Sequence, residues 1–172
     1  MKPYIQKILE IIKPEDRHYM LDLGCGDGED MAYFRKGGFT VYGIDKISTA
    51  GIPEKSDIID FEIKPNTYSL IVANNTLPFI GDKDKVKKVI SSMANGLVKD
   101  GVMYLTLFGE HDEWFGKHGM SFFKEVEIDD FIESLSTDLL EKNIREGYGI
   151  TSRGKEKFWH VLMYMCIKKP KI

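Results

Sequence analysis

The stretch LDLGCGDGED, residues 21–30, carries three glycines and four acids in ten positions, with no Lys or Arg. Glycines let a backbone come close to a ligand. After a strand, such a turn normally serves a phosphate. A G-x-G-x-x-G turn seats a pyrophosphate on a helix N-terminus. Here the spacing is Gly24-x-Gly26-x-Gly28, and Glu29 fills the third fingerprint position. A carboxylate there repels a pyrophosphate. A cationic ligand without phosphate reverses the sign, and Asp22 suits its positive end. The plain alternative is a structural turn ringed by solvated acids.

The elements that must hold this turn alternate. Residues 2–12 predict an amphipathic helix, 19–23 a buried strand, 29–36 a helix and 40–45 a second strand. A weak third strand is expected at 56–60 and a strong fourth at 69–75. Apolar residues at helical spacing follow over 82–98, then a strand at 101–108 and a helix at 127–135. Segments 138–146 and 157–169 read as a final hairpin around GYGITSRG. Strands alternating with helices imply an α/β fold: a doubly wound, mostly parallel, seven-stranded Rossmann-like sheet with a C-terminal antiparallel hairpin. No repeat or linker divides the chain, so residues 1–172 read as one domain.

Ligands of such a sheet bind outside the carboxyl ends of the parallel strands. Those ends carry Gly24–Gly28, Asp45, Asn74, Asn75 and Phe108–Trp114. An antiparallel last strand starts at the same edge, which brings in Trp159 and His160. His111 and His160 are the candidate general bases, and Asp112, Trp114 and Trp159 the candidate acceptor contacts. Each has a plainer reading. A loop histidine is often solvated, His160 has apolar neighbours, and loop aspartates often bond nearby backbone. Cys25 lies inside the turn, where its thiol reads as packing rather than as a nucleophile. S-adenosylmethionine matches the turn's sign: it has a sulfonium, an ammonium, one carboxylate and no phosphate.

LDLGCGDG resembles motif I of class I S-adenosylmethionine-dependent methyltransferases, and the likeness runs along nearly the whole chain. It implies that Asp22, Gly24, Cys25, Gly26 and Gly28 surround the cofactor. Asp45, with Lys46 beside it, would bind the ribose, and Asp57 and the Ile58 backbone of SDIIDF the adenine. Asn74 and Asn75 of YSLIVANNTLPFI would face the methionine part. The C-terminal third (LFGEHDEW, MSFFKEVEIDDFIES, KFWHVLMYMCIKK) is similar to small stand-alone methyltransferases of the tellurite-resistance type. Two features depart from the pattern. Ser69 stands where an acid is frequent, and KISTAGIPEKS is too short for a full crossover helix, since a whole crossover takes about ten to twelve residues or more.

Composition narrows the function. The 172 residues are 42% hydrophobic and 30% charged, with net charge −3. That gives no basic footprint for nucleic acid. Two cysteines make neither a disulfide framework nor a zinc site, so no metal is expected. No segment has the roughly 18 apolar residues of a membrane span, and no signal peptide is evident, so the cytoplasm is the expected location. The strand-four end has no DPPY or NPPY, and there is no Pro-Cys at the site. A small-molecule methyl acceptor is the favoured reading, with oligomeric state open. The alternatives are a protein or RNA methyltransferase working with a partner subunit, and a non-catalytic S-adenosylmethionine-binding protein.

Overall fold

Strands buried on both faces are predominantly apolar, and the segment YSLIVA is the clearest case: all six residues are buried, and its one aliphatic hydroxyl, Ser69, accepts the His18 N–H and donates to the Tyr19 carbonyl. The structure, a computed structural model, describes residues 1–47 and 54–170. In chain order the elements are α1 (Pro3–Ile11), β1 (Tyr19–Leu23), α2 (Glu29–Lys36), β2 (Thr40–Asp45), β3 (Glu54–Lys55) and β4 (Tyr68–Ala73). Then come α3 (Lys83–Gly96), β5 (Leu97–Gly109), β6 (Phe122–Phe123), α4 (Glu125–Ser134), β7 (Thr137–Ile150) and β8 (Glu156–Lys168).

The main path of the sheet has seven strands in the order β3-β2-β1-β4-β5-β8-β7, and the two-residue β6 pairs with β5 off that path. Strands β1 to β5 are parallel; β8 runs antiparallel to β5 and to β7. The expected architecture is therefore present. The order reverses between β1 and β4, the point at which open α/β sheets bind ligands.

Each face has its own core. One holds Ile5 and Ile8 of α1, Phe34 of α2 and Met20, Leu70, Val72, Val102, Tyr104 and Met165 of the strands. The other packs α3 and α4 against Leu21, Ile71, Met103, Leu105, Leu107, Leu162 and Tyr164. Strand alternation assigns the odd and even residues of β5 and β8 to these two faces. Arg17 locks α1 against α2, donating to the carbonyls of Leu9, Ile12 and Gly37.

Three expectations are corrected. The third strand is Glu54–Lys55 rather than 56–60, because Asp57 accepts from the Ile59 N–H and its carbonyl from Asp60 and Phe61, which closes a turn. Residues 56–67 contain no helix, and next to them Tyr19 and Tyr42 stay half-exposed along a groove bordered by Phe61. Most of the short link before β3, residues 48–53, lies outside the described residues. The hairpin strands are also longer than expected. Gly147 and Gly149 sit within β7, and the turn falls at 151–155.

Helix α3 starts where Asp82 accepts the N–H groups of Asp84 and Lys85. This N-cap satisfies two otherwise orphaned donors. Asp82→Ala is expected to lower stability by about 1 kcal/mol, read from the urea midpoint, and to leave the carboxyl edge of the sheet unchanged.

Candidate functional site

The glycine turn follows directly from its residues. Gly24, Gly26 and Gly28 have φ of 72°, 57° and 82°, the left-handed region. A Cβ on Gly24 would collide with Thr76, whereas one on Gly26 would meet nothing within 4 Å. Gly24 is thus fixed by packing, whereas no described residue crowds the Cβ direction of Gly26. Asp45 braces the turn from β2. Its carboxylate accepts the Gly26 N–H at 2.9 Å and the Ile47 N–H at 3.0 Å. The first turn of α2 contains Glu29 and Asp30, so this helix start repels phosphate.

Beside the turn is a corner of buried negative charge. Asp22 is only 4% exposed. Its carboxyl is pushed up to about 7, first by burial and then by the charge of Asp30; Lys2 opposes and Asp45 adds. Asp30 is bound by Lys2 Nζ at 2.7 Å, by the Tyr4 hydroxyl at 2.5 Å and by Asn74 Nδ2 at 3.4 Å. Burial, then Asp30, raises the Tyr4 phenol far above its ordinary value, so it remains a donor. Lys2, Tyr4 and Asp30 are not among the sequence-predicted site residues; residues 2–12 were read only as an amphipathic helix. The available signal was a second acid directly after the turn, with a lysine and a tyrosine at a helix start near it.

At the other end, Asp57 pairs with Lys46 at 3.1 Å. Burial pushes its carboxyl upward, but the Ile59 N–H and Lys46 outweigh this and hold it below the usual carboxylate range. Ile58 is buried in the α3-side core. Cys25 is buried, and burial followed by the charge of Asp22 pushes its thiol up to about 12, so it is no nucleophile at neutral pH.

A cavity of about 600 Å³ opens between α1, the end of β4 and the hairpin. Tyr4, Asn74, Asn75, Tyr104, Arg145 and Met163 are among its lining. Tyr4 and Tyr104 stack at 4.1 Å with planes 4° apart. Burial pushes the Tyr104 phenol up to about 12. Thr106 accepts the Asn75 N–H at 2.7 Å, and Asn75 has a φ of 55°, so the end of β4 is held in a fixed turn.

The C-terminal candidates do come together, but around a different centre. Asp112 is 2% exposed. Its carboxylate pairs with the buried Lys157 and accepts the N–H groups of Trp114 and His160. The Lys157 ammonium lies 4.0 Å from the ring centroids of both Trp114 and Trp159. The Asp112 carboxylate and the Lys157 ammonium thus answer each other between the two indoles. Adjacent strand residues point to opposite faces, and this separates Trp159 from His160. Trp159 shares its face with Met163 and Phe108. His160 instead packs under Gly109, and its Nδ1 accepts the His111 N–H at 3.1 Å. The two imidazoles stack at 4.7 Å, and Glu146 accepts from His111 Nδ1 at 2.5 Å. This pair lies on the α4 face, away from the cavity lining. His111, Glu146 and His160 place three ligand-type atoms within 4.8 Å. With Nδ1 of His160 accepting a backbone N–H, its Nε2 carries the proton of the neutral ring and has no lone pair for a metal.

The residues present fit S-adenosylmethionine. The left-handed glycines bring the turn's backbone to the crevice, the acids match a cation, and the helix start rejects phosphate. Fold and site together define a class I S-adenosylmethionine-dependent methyltransferase. Residues 1–142 match the family model described as "Methyltransferase domain", and the chain belongs to that family. S-adenosylmethionine is its cofactor. Solved structures share the fold. TehB from Haemophilus influenzae superposes with a TM-score of 0.80 at 19% identity, over 98% of this chain and 63% of that one. An S-adenosylmethionine-dependent methyltransferase from Methanosarcina mazei gives 0.72 at 15% identity over 99% of both chains. The Burkholderia thailandensis 1,6-didemethyltoxoflavin-N1-methyltransferase, solved with 1,6-didemethyltoxoflavin and S-adenosylhomocysteine, gives 0.68 at 15% identity, over 98% of this chain and 79% of that one. No curated protein sequence matches at a significant level. Among the described residues, no helix is long and apolar enough to cross a membrane.

The raised acid has a measurable consequence. Folded Asp22 holds a proton up to about pH 7, while the unfolded chain loses it near pH 4. Its contribution to stability is therefore present below pH 4 and is lost as pH rises through that window. Asp22→Asn is expected to remove this loss. Urea melts of both proteins at pH 4, 5.5 and 8 should show the variant gaining on the wild type as pH rises.

Proposed function

We propose that this chain, acting as a single domain over residues 1–172, transfers the methyl group of S-adenosylmethionine to a small-molecule acceptor. The observation that carries the reading is the cavity of about 600 Å³ beside Asn74 and Asn75. That volume suits a small ligand, for which pockets run roughly 300–1,000 Å³. Its lining joins apolar and polar groups, as small-molecule sites do. In this reading Gly24, Cys25, Gly26 and Gly28 follow the cofactor with their backbone, and Asp45 with Lys46 takes the ribose. Asp57 and Ile58 flank the adenine, and Asp22, Asn74 and Asn75 face the methionine part.

The cofactor supplies an already activated methyl group. The protein's task is then chiefly alignment, worth several kcal/mol. Tyr4 and Tyr104 keep their protons and serve as donors. The stacked His111 and His160 tie the loop after β5 to the hairpin, and Asp112 with Lys157 holds that loop against β8, beside a separate groove lined by Trp114 and Lys157. Neither His111 nor His160 lines the cavity, which favours an acceptor that arrives deprotonated or is intrinsically soft.

Two measurements test the reading. Gly26→Ala has room for its methyl, so it should fold despite roughly 1–2 kcal/mol of left-handed strain, yet lose most cofactor affinity. Asp45→Ala should weaken binding at least tenfold, since it removes both the brace and the ribose contact, each charge-assisted bond being worth roughly 1.5–3 kcal/mol. Unchanged calorimetric affinities for S-adenosylhomocysteine would refute the cofactor assignment. For the acceptor, methyl-labelled cofactor is incubated with a lysate split by ultrafiltration. Label is expected in the small-molecule filtrate. Label transferred only to retained protein or RNA would overturn the acceptor class.

A further inference from the structure

β7 (Thr137–Ile150) is an outer strand of the sheet, bonded to β8 on one side only. At 14 residues it is long for an edge. A long open edge is a template for another strand, and proteins usually shorten, kink or proline-block it. The opposite edge obeys that rule, since β3 has two residues. β7 has no proline, and its one register shift lies near its start, between Leu139 and Glu141. Beyond the shift the register with β8 is unbroken to Ile150, with Ile144, Tyr148 and Ile150 exposed along one face.

The order of charges along β7 selects its occupant. We propose that β7 pairs antiparallel with β7 of a second copy of this chain, on a two-fold axis through Ile144. In this register Ile144 packs on its own symmetry mate. Lys142 stands opposite Glu146 twice, and Asn143 opposite Arg145 twice. A slip of one residue in one direction sets Lys142 against Arg145 and Glu141 against Glu146, which are like-charge pairs and destabilising; a slip in the other direction sets Ile144 against Arg145 and Lys142 against Gly147, so the apolar and the charged residue both lose their match. Centring on Asn143 instead places Ile144 against Lys142 and Leu140 against Glu146. Among these neighbouring registers the one centred on Ile144 satisfies both charge and hydrophobicity, and it does so isologously, as a closed dimer requires.

The charges are positioned in advance. Lys142 is fixed along the edge by Glu125 and Asp129, and Glu146 by His111 through Oε1. The histidine pair therefore holds Glu146 for the interface. The opposite face of the same ladder carries Asn143 and Arg145, both lining the cavity. In the dimer, Arg145 of the second copy stands beside Asn143, so each cavity rim gains a guanidinium from its neighbour.

Sedimentation velocity of the full chain tests this. A concentration-dependent dimer is expected, and Ile144→Lys should shift it to monomer with an unchanged circular dichroism spectrum. Ile144→Cys gives an independent readout. Directly opposed residues have Cα atoms about 4.5–5.5 Å apart, within disulfide reach. Under mild oxidation Ile144→Cys should cross-link into a covalent dimer, whereas Ile150→Cys, far from the axis, should not. The two native cysteines are buried and do not compete. A wild type that stays monomeric at every concentration, a dimer indifferent to Ile144→Lys, or cross-linking at position 150 but not 144 would overturn the proposal.

Discussion

Two carboxylates share one buried corner of this protein, and much of the molecule is arranged around them. Asp22 comes from β1 and Asp30 from the first turn of α2. Burying like charges side by side is costly unless something positive answers them. The chain answers Asp30 with Lys2 and Tyr4 from α1 and with Asn74 from the end of β4. It answers Asp22 by favouring its protonated form. Four segments distant in sequence are thereby drawn to the crevice where strand order reverses. A cationic cofactor completes the charge balance that the protein alone leaves open.

That corner also explains why a Gly-rich turn here does not serve phosphate. The geometry of such a turn is common to many nucleotide sites, but the sign of the charges around it is not. Glu29 and Asp30 complement the positive start of α2 and occupy the role that a pyrophosphate plays elsewhere. Asp45 then fixes the turn through the Gly26 N–H. One acid positions the backbone while another sets the charge.

The parts legible in the sequence were those governed by local rules. Hydrophobic runs placed β1, β2, β4, β5 and β8 within a residue or two except at the start of β5, where a left-handed Asp100 lets the strand continue from Leu97. Spacing gave the glycine turn. The third strand was misplaced because Asp57 spends its hydrogen bonds closing a turn, which no apolar pattern reveals. Gly147 and Gly149 read as a turn, yet they sit in β7 because the ladder to β8 runs on through both. At the site, sequence topology correctly brought residues 109–114 and 159–160 to one edge. It could not see that Trp159 and His160, being neighbours on a strand, face opposite ways. Nor could it see that Lys157 would pair with Asp112 and lie over both tryptophan rings.

The strand order has a consequence for synthesis. β8 follows β7 in the chain but lies between β7 and β5 in space. β7 therefore leaves the ribosome before the strand that must separate it from β5, and a premature β5–β7 ladder would shut β8 out. Translation adds about 5–20 residues per second, whereas a hairpin forms in roughly 1–10 microseconds. Once the 151–155 turn and β8 have emerged, hairpin closure is effectively instantaneous on the timescale of elongation. The correct topology then depends on β7 remaining unpaired until that moment. Its charged residues Lys142, Arg145 and Glu146 make it a poor match for the apolar β5, and so keep the gap open for the strand that belongs there.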